Sequence, residues 1–273
     1  MLGLEGIDIL SLFYAALIHD FKHPGYTNLY MNNTGSDISY TYNGNELFYI
    51  YFIYLDKSPL ENYHVAEAFS LTKLKHLSIF EKIKSELLKI LRKRTIECVL
   101  ATDMALHSKQ ISQITSKIDY YSQTGEGTPF IEFYSDEKNS NSKFDTQQEF
   151  MNFIVHVADI SHPAKPWEIE LKWSDLIFKE FFNQGDQEKS MNLPMSFLCD
   201  RETTNISKSQ VGFINNIIRP TFQLVVALLP NTENLMNCIE ENLDKWNQVD
   251  ILETKKKQEM QTRQEIKIAI EEE

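Results

Sequence analysis

"LIHDFKHPG", residues 17–25, closes an apolar run with His19 and Asp20 side by side and sets His23 just ahead of Pro24-Gly25. Adjacent side chains leave a helix about 100° apart, so an imidazole and a carboxylate at neighbouring positions converge only where the helix stops. The Pro-Gly turn supplies that stop. Residues 4–19 before it are apolar on nearly all sides, as expected of a helix buried in a large domain. "HVADISHP" at 156–163 repeats the arrangement, with an apolar helix ending in Asp159 and then His-Pro. "SPLENYHVAEAF" at 58–69 sets Glu61 and His64 three apart, on one helical face. "ATDMALH" at 101–107 is a fourth cluster. One His-Asp pair would read most simply as a capping aspartate beside a packed histidine. Four acidic and histidine clusters at helix ends read instead as a two-metal hydrolase site. An imidazole with a carboxylate suits zinc, and a carboxylate turned outward suits a harder ion such as magnesium. An aspartate shared by two metals is a common device for activating water.

Working outward, most of the chain carries helical spacing. Apolar positions recur from Phe80 to Met104 (Phe80, Ile83, Leu87, Ile90, Leu91, Val99, Leu100), through 147–160 (Phe150, Phe153, Ile154, Val157) and through 168–182 (Ile169, Trp173, Leu176, Ile177, Phe181). A last apolar helix falls within 210–229 and stops at Pro230. Strand-like alternation is confined to 38–55, so the expected class is all-α. Residues 122–146, rich in Ser, Asn, Gly and Asp, read as a long exposed loop. After Trp246 the chain is highly charged and reads as a solvated helix or frayed end. No internal repeat is present.

With 273 residues the chain suffices for one large domain or two small ones. Asp plus Glu number 39 against 27 Lys plus Arg, a formal charge of −12. That balance argues against nucleic acid or an anionic membrane as main partner, and a phosphate-bearing substrate would need local positive charge, most simply metal ions. Cys98, Cys199 and Cys238 are widely spaced and form no CxxC pair, which suggests neither a disulfide framework nor a zinc ribbon and fits a reducing, cytoplasmic setting. No signal peptide is visible. The apolar run "LFYIYFIYL" at 47–55 is too short to span a bilayer as a helix, so no membrane insertion is expected.

"HDFKHPGYTN", "SPLENYHVAEAF", "ATDM" and "HVADISHPAKPW", in that order, resemble the catalytic domain of class I 3′,5′-cyclic nucleotide phosphodiesterases. The continuation "FFNQGDQEKSMNLPMSFLCDRETTNISKSQVGFINNIIRPTF" is most similar to the calmodulin-regulated, dual-specificity type. The resemblance implies a compact all-helical domain of the HD-type metal phosphohydrolases that hydrolyses the cyclic phosphate of cAMP or cGMP. Carried over by motif, His19, Asp20 and Asp159 would be zinc ligands, and Asp20 would also bind a second metal, magnesium or manganese. His23, Glu61 and Thr102 would hold waters of that second metal, with Asp20, His23 and Glu61 counted as catalytic. His64 and Asp103 match motif positions and take supporting roles. Gln210 and Phe213 would form the purine site. An amide offers both a donor and an acceptor, and a phenyl ring three residues on can stack on the base. His156 and His107 read as packed or bracing histidines, His162 as shaping a pocket wall, His76 as solvated, and Trp167 and Trp173 as core. Calmodulin contacts would lie outside these residues.

The sequence departs from the family pattern in two places. The resemblance implies an upstream H-N-x-x-H segment that supplies the acid for the leaving 3′-oxygen and a further zinc ligand, yet no histidine precedes His19. The expectation is therefore a catalytic domain over 1–246 shortened at its N-terminus, with 247–273 as a charged tail. The alternative is a non-catalytic relative that binds cyclic nucleotide or a partner. The second departure is "GNELFYIYFIYL" at 44–55, whose removal restores the uninterrupted pattern and which reads as a retained intron or, alternatively, as a genuine aromatic insertion near the metal site.

Overall fold

The computed structural model describes residues 3–43, 58–124 and 140–271, and all regular structure among them is helical, with no strand. The segment 44–55, with its suspected insertion, lies outside the described residues. The chain divides into two compact units, 1–160 and 161–273.

In the first unit α1 (Gly6–Ile18), α5 (Ser85–Leu100) and α7 (Ser140–Asp159) pack on one another, with α4 (Pro59–Leu71) against α5. The sequence of α5, free of Gly and Pro, buries Leu91, Arg94, Thr95, Cys98 and Val99, a stripe spaced by three and four. Tyr14, Phe69 and Phe80 meet edge to face at the centre of the core, with Ile18, Val65, Met151 and Val155 around them. Each such side chain contributes about 1.5–3 kcal/mol by leaving water. Arg94, buried inside this core, is satisfied by Asp8 of α1 (3.1 Å) and by Gln147 (2.8 Å) and Gln148 (3.3 Å) of α7. That network fixes α1 and α7 to one helix, so the ends of both are held in register. The short α2 (Asn28–Asn33) and α3 (Asp37–Asn43) follow the turn after α1, and α6 (His107–Thr124) follows a 3₁₀ turn at Met104–Leu106.

The second unit is built on α11 (Glu233–Glu271), which takes in the expected charged tail as regular helix. Against it pack α8 (Trp167–Ser190), the 3₁₀ turn His162–Ala164, and a continuous helix made of α9 (Ile206–Phe213), a π-helical turn (Ile214–Ile218) and α10 (Arg219–Leu228). Asn242 of α11 donates to the Pro163 and Lys165 carbonyls at 2.8 and 2.7 Å and pins the turn. Residues 206–228 are long and apolar enough to cross a membrane by length and composition alone, but a core helix passes the same test. Here the run buries Gln210, Ile214, Ile218 and Phe222 and packs on α11.

Several sequence expectations are corrected. Residues 37–43 are helix, where strand-like alternation had been read, because α3 packs on α4 and tertiary contact overrides a weak local pattern. The expected loop 122–146 is shorter at both ends, since α6 runs to Thr124 and α7 starts at Ser140. α1 is not buried all round, for Ile9, Leu10, Phe13 and Leu17 are exposed. Leu87 and Ile90 also face solvent. Most telling is α8, where Ile169, Trp173 and Leu176 are exposed while Glu170, Ser174 and Phe178 are buried. Trp173 is therefore not core.

Candidate functional site

α1 ends at Ile18, and the chain turns through Phe21 N–H to Ile18 O and His23 N–H to Asp20 O, both 3.0 Å. Lys22 takes a left-handed conformation (φ 61°) and Gly25 another (φ 81°). This reversal brings neighbouring His19 and Asp20 to one point. His19 Nδ1–H donates to the Ala16 carbonyl at 2.8 Å, which leaves Nε2 to face Asp159 Oδ1 at 3.2 Å and Asp20 Oδ2 at 3.4 Å. Asp159 is the last residue of α7, whose Met151 and Val155 share a core with Tyr14 and Ile18 of α1. The three donor atoms lie within 4.8 Å of one another and can hold a metal ion. A ring whose second nitrogen is tied to a backbone carbonyl is the usual arrangement for a ligating histidine. The two carboxylates, Asp159 foremost, push the His19 imidazole up to about 11. Desolvation pushes Asp20 upward, but His19, His23 and His64 together hold its carboxyl below the ordinary value.

Asp20, His23 and His64 form a second such group that shares Asp20 with the first. The buried His64 donates Nδ1–H to the Phe21 carbonyl at 2.7 Å, so Nε2 carries its lone pair, and burial lowers its pKa. His23 accepts the Gly25 N–H at Nδ1 (3.1 Å), which leaves a proton on Nε2. The His23 ring is thereby set up to donate rather than to ligate, as a water-holding role requires.

Glu61 stands in the first turn of α4, which opens with Pro59 after a left-handed Ser58 (φ 53°). Asn28 donates to both Glu61 oxygens (2.9 and 3.2 Å) and accepts the Leu60 N–H at 3.0 Å. Burial pushes the Glu61 carboxyl up to about 7, with repulsion from Asp103 and Asp20 adding to it and Asn28 opposing it. Thr102, buried after α5, donates its hydroxyl to the Val99 carbonyl at 2.7 Å, so only lone pairs are left for a ligand. Asp103 caps the next turn through Ala105 N–H (2.9 Å) and accepts from Ser58 Oγ (2.7 Å). Behind them His107 Nδ1 and His156 Nε2 meet at 2.9 Å in the interior. The Thr102 carbonyl lies near enough to His156 to favour its protonated form, yet closes no hydrogen bond on Nδ1. Burial, with His107 adding to it, pushes the His156 imidazole down to about 4.

In the second unit Gln210 and Phe213 are one turn apart on α9. Gln210 is buried, its Nε2 donates to Ser174 Oγ at 3.0 Å, and its Oε1 has no partner. Phe213 stacks on His162 with centroids 5.7 Å apart at 13°, so one ring face is taken. His162 Nδ1 contacts Glu170 Oε2 at 2.5 Å, and the other oxygen, Oε1, accepts Trp246 Nε1–H at 2.9 Å.

A model of the 3′5′-cyclic nucleotide phosphodiesterase family matches residues 3–239. The chain belongs to this family. It is 32% identical over 243 residues to the 3′,5′-cyclic-AMP phosphodiesterase 4C of Rattus norvegicus, an alignment that covers 89% of this chain and 41% of the rat protein. The chain thus spans less than half the length of that relative. Among solved structures, the phosphodiesterase domain of the rhodopsin phosphodiesterase from the choanoflagellate Salpingoeca rosetta superposes with a TM-score of 0.76 at 28% identity, over 93% of this chain and 70% of that one. A second structure of that domain gives the same score over 92% and 72%.

Asn28, Glu170 and Ser174 take part in these constellations and were not singled out in the sequence. Asn28 lies within the quoted "HDFKHPGYTN", where an amide beside the histidines was a visible signal. Glu170 and Ser174 carried one too, as polar residues beside an apolar stripe, but the stripe drew the reading to the wrong face.

Proposed function

We propose that this chain carries the hydrolytic site of a phosphodiesterase that opens the 3′,5′-cyclic phosphate of cAMP, of cGMP or of both to the 5′-monophosphate. The observation that carries the reading is the convergence of His19, Asp20 and Asp159, from two helix ends far apart in sequence, in a member of this family. The donor set fits a zinc ion at His19, Asp20 and Asp159, with Asp20 shared to a magnesium or manganese ion. What a pair of divalent cations supplies in such a site is neutralisation of the phosphate charge and a nucleophilic water at neutral pH.

The residues themselves position and hold. Ala16 fixes the His19 tautomer so that Nε2 is presented to the carboxylates. His23 offers an N–H and Thr102 offers lone pairs, which together suit the two sides of an ordered water. Glu61, raised to about 7 and gripped by Asn28, can hold or release a proton at its free lone pairs near neutral pH. In the second unit Gln210 reads the base edge and Phe213 offers its open ring face for stacking. The similarity of residues 181–222 to the dual-specificity type supports acceptance of both purines, whereas the rat relative is named for cAMP alone. Regulation by calmodulin rests on that similarity only.

The test is release of 5′-AMP and 5′-GMP by the full native chain, with and without chelator, and by Asp159→Ala. Hydrolysis that both treatments abolish supports the reading. Saturable nucleotide binding without turnover by the full chain refutes hydrolysis.

A further inference from the structure

Between α4 and α5 the chain leaves the core at Phe69 and returns to it at Phe80, whose rings lie 6.4 Å apart. Both rings pack on Tyr14, and the Arg92 guanidinium of α5 lies over the Phe69 ring at 4.6 Å. Residues 70–79 therefore form a closed loop held at one anchored base. Thr72 and Ser78 are half-buried, and every other side chain of the loop is exposed.

A loop that only joined two helices would show polar residues to water. This one shows Leu71, Leu74, Leu77 and Ile79, between 37% and 66% exposed. Lys73, Lys75 and His76 alternate with them, and Lys82 and Lys84 follow before α5 begins. Residues 72–84 thus hold four Lys against one Glu, in a chain of formal charge −12. No carboxylate pairs with any of the four among the described residues. Leu87 and Ile90, with Lys89 between them, continue the mixture on the outer side of α5. The balance of the whole chain speaks against an anionic surface, but charge is felt only over a Debye length of about 8 Å at physiological salt. What such a surface meets is the local charge, and here that is positive.

The loop backbone is suited to leaving water. Lys73 N–H bonds the Ser70 carbonyl (3.3 Å), Leu74 N–H that of Leu71 (3.0 Å), Leu77 N–H that of Leu74 (2.8 Å) and Ile79 N–H that of Leu77 (2.9 Å). The Thr72 hydroxyl donates to the Phe69 carbonyl at 2.8 Å. Groups already answered within the loop cost less to desolvate. Composition then separates the occupants. The cores of protein–protein interfaces favour aromatic residues, Met and Arg and are depleted in Lys. Leu and Ile interleaved with Lys fit the headgroup boundary of a bilayer, where apolar side chains enter the acyl region and lysine stems reach back to the phosphates.

We propose that the 70–84 segment docks this chain on an anionic lipid surface, with its four apolar side chains inserted and its four lysines at the level of the headgroups. The proposal is independent of the phosphodiesterase reading.

Co-sedimentation of the full native chain with phosphatidylcholine vesicles, with and without about one-third phosphatidylserine, tests it. Binding is expected to the anionic vesicles only, and to fall steeply as salt is raised. Lys73→Gln with Lys75→Gln should weaken it by about fivefold per lysine. Leu74→Ser with Ile79→Ser should weaken it by about tenfold or more. Lys179→Gln, an exposed lysine of α8, should bind as wild type does. The replaced side chains are exposed, so all variants should keep the wild-type urea midpoint. Ile79→Trp should shift its emission to the blue on the anionic vesicles, and binding without that shift would overturn insertion. No preference of wild type for phosphatidylserine, or equal binding by the loop variants, overturns the proposal. Self-association in sedimentation velocity that the loop variants abolish, without vesicle binding, would give the surface to a second copy of the chain instead.

Discussion

Replacing Glu170 by Ala should be among the most damaging single changes in the second unit. The carboxylate is fully buried, accepts the Trp246 indole N–H at 2.9 Å and meets His162 Nδ1 at 2.5 Å. Truncation leaves two ring nitrogens without partners in the interior. Breaking a buried ionic or strongly hydrogen-bonded pair by removing one member costs about 3–5 kcal/mol. Glu170→Gln keeps the acceptor for Trp246 and places an amide against His162, whose neutral ring can accept from it after a change of tautomer. Its cost should stay near 1 kcal/mol. Urea unfolding followed by far-UV circular dichroism and by tryptophan emission measures both. Trp246 reports locally, because its indole packs edge-on to Trp167 at 5.0 Å beside the carboxylate. A Glu170→Ala loss below about 1 kcal/mol, or equal losses for Ala and Gln, would refute the argument that the charge-assisted pair matters, for the two variants differ chiefly in whether the nitrogens are left bare.

Three further outcomes are expected. The His156 contribution to stability should be lost as the solution is acidified from pH 6.5 toward 4, by at most about 1.4 kcal/mol per unit and with the opposite sign to that of the raised Glu61, because the unfolded chain protonates His156 at its ordinary value while burial and His107 keep the folded one neutral down to about 4, despite Asp159 and Asp103 nearby; a slope unchanged in His156→Gln would contradict this. Ellman's reagent should modify the half-exposed Cys238 first in the native protein, since burial pushes Cys98 up to about 12 and Cys199 to about 11, and rapid reaction at either of those would contradict the packing. Gly185→Ala should cost about 1–3 kcal/mol, as a Cβ there would clash with the Cys199 carbonyl oxygen, and a stability equal to wild type in the same urea assay would show that the segment around Cys199 yields freely.

The cluster of His19, Asp20 and Asp159 was legible in the sequence because its signal is local. His19, Asp20 and Asp159 each follow an apolar helical run and precede a turn, and helix ends are where polar side chains can be held without breaking a packed stripe. What was not legible is what the turn does. The left-handed Lys22 is unexceptional as a residue type, yet it re-aims the chain after Asp20. Asn28 binds Glu61 across a separation of 33 residues, a distance over which spacing carries no information. The helical class followed from periodicity, but periodicity did not say which face is inward, as Phe13 and Leu17 of α1 show by being exposed.

α8 shows the same failure in its clearest form. A helix that serves only to fill a core buries its apolar stripe, and Ile169, Trp173 and Leu176 offered one. The chain instead turns inward the adjacent stripe of Glu170, Ser174, Phe178, Gln184 and Glu188, and gives most of these polar groups a partner: Trp246 and His162 for Glu170, Gln210 for Ser174, and Gln184 and Ser196 for Glu188. Burying a polar group without a bond costs on the order of 1–3 kcal/mol, so such a face persists only where every group is answered or where one is reserved for a ligand. Gln210 Oε1 is the atom of this network left unanswered. The inverted helix is thus a physical signature that depends on neither motif nor family, and it brings α8 and Gln210 together around one buried acceptor without a partner.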